Sequence, residues 1–107
     1  MGLEWDLAKA RDWAVNQCWT EHKRNPGGPG IMVAPSKLGE SDPPFRLICE
    51  AVEYLLGKNW VTAEYGRALG YKGPTDIRNL RLTVEAIAAI QDQIERLPNT
   101  PIGFISD

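Results

Sequence analysis

The residues of this sequence best suited to a chemical task are the basic and amide side chains between residues 58 and 82. Five basic residues stand against two acidic ones there, so this segment carries a charge of +3 in a chain whose net charge is −2. Arginine and asparagine make paired hydrogen bonds to guanine and adenine, and lysine and arginine contact phosphates. These residue types favour nucleic-acid recognition by this segment.

The spacing within residues 62–81 is typical of a helix-turn-helix. Thr62 suits the start of a first short helix, Gly70 suits the turn and Pro74 suits the first position of a second helix. We expect that second helix, residues 75–81, to lie in the major groove of DNA. The predicted base-reading residues are Arg78 and Asn79, with Thr75 on the same face and Arg81 at its flank, and the predicted phosphate contacts are Lys72 and Arg67. Alternatively, residues 75–97 form one helix and the pair is a helical hairpin that binds no DNA.

The turn itself resembles that of a known family. The run Ala68–Pro74, ALGYKGP, followed by Asp76-Ile77-Arg78, resembles the ALGY-x-x-P turn of phage and viral BRO-type regulatory domains, and it is similar to helix-turn-helix regulators in general. This resemblance covers about a fifth of the chain. It implies DNA binding by a small phage-type or bacterial regulator. The helical pattern of the N-terminal half departs from the mixed strand-and-helix BRO domain, so only the turn is carried over.

Hydrophobic periodicity predicts an all-α fold, a single compact domain of four to five helices. Apolar side chains recur at spacings of three and four over residues 3–24, 43–57 and 83–97, which is the period of an amphipathic helix. The length of 107 residues fits one domain. Proline and glycine are concentrated in a long connection over residues 25–42, and residues 98–107 form a tail.

Three tryptophans on the first predicted helix, Trp5, Trp13 and Trp19, lie partly off its apolar stripe. They either cover the edges of the core or form a contact surface, since tryptophan is enriched at interface anchors. The second possibility supports an alternative function, a phage-type protein-binding module or inhibitor of a host enzyme or defence complex, with no DNA binding. We expect the DNA-binding regulator to be a homodimer.

The sequence offers little for catalysis or metal binding. One histidine, His22, and two distant cysteines, Cys18 and Cys49, make no metal-ligand pattern, and no serine has the context of a nucleophile elbow. We therefore predict no enzyme, no metal and no cofactor. The first residues lack the apolar core of a secretory signal, and no apolar run approaches the ~20 residues of a membrane span. These features predict a cytoplasmic protein that does not enter a membrane.

Overall fold

The computed structural model describes residues 4–104, which form three helices and one three-stranded antiparallel sheet. The elements follow in the order α1 (Leu7–Arg24), β1 (Ile31–Val33), a short 3-10 turn (Pro35–Lys37), α2 (Phe45–Gly57), β2 (Val61–Gly66), β3 (Asp76–Leu82) and α3 (Val84–Arg96). The strand order is β1-β3-β2. One face of the sheet packs against the helices, and the other face is exposed. Residues 1–3 and 105–107, which include the predicted start of the first helix and the predicted end of the tail, lie outside this description.

The prediction of an all-α domain with four to five helices is wrong, because the fold is α+β. Residues 62–81 are not a helix-turn-helix: they belong to a β-hairpin in which Thr62 pairs with Arg81 and Tyr65 pairs with Ile77. No recognition helix exists over residues 75–81, and α3 begins only at Val84, so the alternative of one helix over 75–97 is also wrong.

A bulge in β3 explains why a strand has the apolar spacing of a helix. Ile77 and Leu80 are three residues apart, yet both are fully buried. A regular strand would place them on opposite faces. The register shifts next to this position, and Asn79 adopts a left-handed backbone with φ of 53°. The extra residue turns Leu80 back toward the core, so a bulged strand imitates the three-residue period that predicted a helix.

The three long predicted helices are present, with different first residues. Asp6 caps α1 by accepting a hydrogen bond from the backbone N–H of Lys9 at 2.8 Å, and Thr83 caps α3 by accepting one from Ala86 at 3.1 Å. Helix α2 begins at Phe45 rather than at residue 43. Asp42 does not cap α2, since its side chain accepts a hydrogen bond from the backbone N–H of Gly39 at 2.8 Å.

The core lies between the sheet and the helices. Fully buried side chains come from all three helices and from β2 and β3, and the largest are Ile48, Leu55, Ile77, Leu80 and Ile90. The C-terminal segment folds back onto this core. The Phe104 ring lies edge-on to Trp60 and Tyr54, with ring centroids 5.0 Å and 5.3 Å away. This segment therefore completes the packing between α1, α2 and the start of the hairpin.

Candidate functional site: the β2–β3 hairpin

The six predicted DNA contacts all lie on the hairpin, although not on one helix face. Arg78, Asn79 and Arg81 are exposed on β3. The other three residues, Arg67, Lys72 and Thr75, lie in the loop that joins β2 to β3. We call this loop, residues 67–75, the hairpin tip. The structure thus divides the predicted site between the outer face of the sheet and the hairpin tip.

Asp76 fixes the base of the hairpin tip. Its carboxylate is only 6 % exposed and accepts hydrogen bonds from Arg78 Nε at 2.8 Å and Thr75 Oγ1 at 3.3 Å. The Arg78 hydrogen bond is the main reason that the pKa of Asp76 lies below its ordinary value, and a bond from the Gly66 backbone lowers the pKa further. A Cβ on Gly66 would collide with this carboxylate. Gly66 and Asp76 therefore hold the two ends of the loop together.

Both predicted base readers have intramolecular partners. Arg78 is bound to Asp76, and the side-chain amide of Asn79 donates to Glu64 Oε2 on the neighbouring strand at 2.8 Å. Arg81 Nη1 donates to the carbonyl of Gly28 at 3.2 Å. These hydrogen bonds fix the orientation of the three side chains, so a base would have to be contacted by their remaining donors or at the cost of an existing bond.

The hairpin tip displays two large side chains to solvent. Leu69 is fully exposed, and Tyr71 is 73 % exposed. Gly70 and Gly73 flank Tyr71 with φ of 85° and 93°, a left-handed conformation that glycine adopts without strain. The backbone N–H of Tyr71 donates a hydrogen bond of 3.2 Å to the Ala68 carbonyl, and this bond closes the turn between Ala68 and Tyr71. The tip therefore presents an aliphatic and an aromatic side chain on a tight, glycine-shaped turn.

The helix-turn-helix prediction missed this exposed pair because it placed residue 69 in a helix and residue 71 in a tight turn between two helices. The signal that could have found it is the density of turn residues: two glycines and a proline fall within residues 70–74, between two runs with strand-like character. Such a pattern indicates a hairpin loop. The ALGY-x-x-P run that resembles BRO-type domains lies in this loop.

The tryptophans of α1 contribute mainly to the core. Trp19 is buried, with its ring stacked on His22 at a centroid distance of 5.5 Å, and Trp13 packs against the core cluster. Trp5 is partly buried, and its indole nitrogen has no hydrogen-bond partner within residues 4–104. Of the two roles considered for these residues, covering the core therefore accounts for Trp13 and Trp19.

The cysteines are free, and burial makes them poor nucleophiles. Burial raises the pKa of the Cys18 thiol to about 12, and it is also the main reason that the pKa of Cys49 is raised. Since the thiolate is the reactive form, Cys18 is chemically inert. Among the described residues, no cluster of three or more His, Cys, Asp or Glu side chains could hold a metal ion. In the same part of the chain, no helix combines the length and apolar character needed to cross a membrane.

Comparisons with known proteins add no relative from which a role could be transferred. No family model matches this chain, and neither the curated proteins nor the solved structures contain a significant match. A role for this chain must therefore be inferred from the geometry of the hairpin.

Proposed function

We propose that this chain is a protein-binding module that contacts its partner through the hairpin tip. The observation that supports this proposal is the pair Leu69 and Tyr71, which project into solvent from a tight turn. Clustered apolar and aromatic side chains on an exposed loop are typical of the anchors that dominate protein interfaces. Transfer of one such side chain into a partner pocket contributes about 1.5–3 kcal/mol.

The base of the hairpin tip favours binding because it is ordered before contact. The Asp76 carboxylate holds Thr75 and Arg78, and the Thr75 backbone N–H donates to the Gly66 carbonyl at 2.9 Å. A loop fixed at both ends loses less conformational entropy when it binds, and this raises affinity without any new contact. The biological setting that we propose is the one suggested by the sequence, a cytoplasmic inhibitor of phage type that acts on a host enzyme or defence complex.

A second candidate function is DNA binding by the same hairpin, in a small phage-type regulator. It is favoured by the exposed cations Arg67, Lys72, Arg78 and Arg81, which all lie on the two strands or their connecting loop. A two-stranded β-ribbon can enter the major groove, as a helix can. We rank this function second because Arg78 and Asn79 are bound to acidic side chains.

A site-specific cross-linking experiment tests the leading proposal. A photoreactive phenylalanine analogue replaces Tyr71 in one sample and Leu97, an exposed residue at the end of α3, in the control sample. In a bacterial lysate we expect one discrete adduct from position 71 and none from position 97. Excess wild-type chain should compete this adduct away, whereas the double variant L69S/Y71S should not. No adduct at position 71, or equal competition by L69S/Y71S, would contradict the proposal.

A salt titration separates the second function from the first. If the hairpin binds DNA, affinity for a pool of duplexes should fall steeply as salt rises, because phosphate contacts release counterions. The variant R67A/K72A should then flatten the salt slope, and L69S/Y71S should leave it unchanged. Binding to DNA with this pattern would place DNA ahead of a protein partner.

A further inference from the structure

A cleft of about 440 Å³ lies at the end of the hairpin opposite the tip. Four segments enclose it: the C-terminal part of α1, the glycine-rich connection before β1, the paired positions Thr62 and Arg81, and the start of α3. The volume is within the range of small-molecule sites in proteins, about 300–1,000 Å³. The cleft is separate from the proposed partner contact at Leu69 and Tyr71.

The cleft has polar lining residues, and Arg81 gives it a positive charge. Arg81 and His22 both line it, and the Arg81 guanidinium uses one nitrogen to bind the carbonyl of Gly28, another lining residue. The remaining guanidinium donors can bind an oxyanion. Glu21 also lines the cleft, but its carboxylate is paired with Arg24 at 2.6 Å. The negative charge at this position is therefore balanced.

The cleft also has apolar lining residues, namely Leu82 at the end of β3 and Val84 and Ile87 on the first turns of α3. Val84 is 80 % exposed, so most of its side chain is open to a ligand at the edge of the cleft. A ligand with an apolar part would cover this side chain.

The glycine-rich wall is held in place by close packing. Gly30 has φ of 102°, and a Cβ at this position would approach the Leu80 carbonyl oxygen to 2.5 Å. Only glycine therefore lets the connection lie against β3, and this contact keeps Gly28 beside Arg81. The glycine-rich wall and the Arg81 guanidinium are thus held in position before a ligand binds.

We infer that the cleft binds a small ligand with an oxyanion head and a short apolar body. Arg81 and His22 bind the head, which is a carboxylate or a phosphate, and Leu82, Val84 and Ile87 cover the body. The start of α3 beside the cleft adds backbone N–H groups that favour negative charge. This inference does not depend on the partner contact at the hairpin tip.

An NMR titration of the ¹⁵N-labelled protein tests this inference with three probes of the same chain length: hexanoate, hexyl phosphate and hexanol. We expect at least one of the two anions to shift the amides of His22, Gly28, Arg81 and Val84 with saturation below about 10 mM. The stronger of them identifies the head group. Hexanol, which lacks the charge, should bind at least about tenfold more weakly.

Two variants that each add one negative charge, at opposite ends of α3, provide the test and its control. V84E places a carboxylate at the edge of the cleft and should weaken anion binding by about tenfold, whereas L97E adds the same charge at the far end of α3 and should leave binding unchanged. Since both side chains are exposed, neither variant should alter the fold. The inference is overturned if no anion gives saturable shifts at these amides, if hexanol binds as tightly as the anions, or if V84E binds them as tightly as L97E does.

Discussion

Asn79 gives the sharpest test of the hairpin, because the two interpretations of residues 75–81 predict opposite effects of the same substitutions. In the structure Asn79 sits in a β3 bulge with φ of 53°. The variants N79G and N79A both lose the exposed hydrogen bond to Glu64, so this loss cancels when the two are compared. What remains is the backbone preference of glycine against alanine at this position.

The expected magnitude follows from the backbone alone. Alanine at a left-handed position costs roughly 1–2 kcal/mol, while glycine loses about 0.5–1 kcal/mol more conformational entropy than alanine on folding. We therefore expect N79G to have a free energy of unfolding roughly 1 kcal/mol higher than N79A. In a recognition helix the order would reverse, because glycine is about 1 kcal/mol less favourable than alanine in a helix interior.

Urea unfolding of the two variants measures this difference. With a slope of about 1–3 kcal/mol per molar urea, 1 kcal/mol moves the midpoint by roughly 0.5 M. Wild-type protein is the reference, and equal slopes for all three proteins ensure that the midpoints can be compared. An alanine variant more stable than the glycine variant would refute the bulged strand.

Three further predictions concern the core, the Asp76 cluster and the hairpin tip. L80A should lower the free energy of unfolding, measured by urea unfolding, by about 2–5 kcal/mol, since the Leu80 side chain is fully buried on β3, which lies beside α1. The Arg78 hydrogen bond lowers the pKa of Asp76 below 3.8. The ionised Asp76 carboxylate should therefore stabilise the fold fully above about pH 5, and this stabilisation should be lost as the pH falls below 3.8. Thermal unfolding of the wild-type protein should show this loss in acid, and thermal unfolding of D76N should not. L69S/Y71S should have a free energy of unfolding within about 0.5 kcal/mol of the wild-type value, because both side chains are exposed. A larger loss of stability would mean that the hairpin tip packs against the core.

The helices could be predicted from sequence because each pairs a clear apolar stripe with a recognisable end. Thr83 caps α3, and the last residue of α2 is Gly57. These signals are local, since a capping hydrogen bond joins residues three positions apart. The core face of α2, with Ile48, Val52 and Leu55 fully buried, follows from the same period.

The turn residues within 70–74 are a local signal of a hairpin loop, but the strand pairing and its register could not be predicted, because their determinants are not local. The bulge at Asn79 gives Ile77 and Leu80 a helix-like spacing, and only the pairing of β3 with two other strands shows that they share a sheet face. β1 has three residues and lies next to β3 only through contacts about 45 residues apart in sequence. A short edge strand in a glycine- and proline-rich connection leaves almost no periodic signal.

The predicted DNA contacts illustrate the same limit for the site. The residue types at Arg78 and Asn79 are those of a base reader, but their partners Asp76 and Glu64 become visible only in the folded hairpin. Residue type indicates what a side chain can bind, whereas its position decides what it already binds. The exposure of Leu69 and Tyr71 depends in the same way on the fold, although the turn residues within 70–74 indicate the loop that carries them.

The most direct test of the central claim, that residues 61–82 form a hairpin with an exposed tip rather than a helix-turn-helix, is a nuclear Overhauser measurement on the protein in solution. Paired residues of antiparallel strands have Cα atoms about 4.5–5.5 Å apart, so we predict cross-strand contacts between Val61 and Leu82 and between Tyr65 and Ile77. A continuous series of short sequential amide contacts from Thr75 to Arg81, without those cross-strand contacts, would contradict the hairpin and remove the basis for a binding site at its tip.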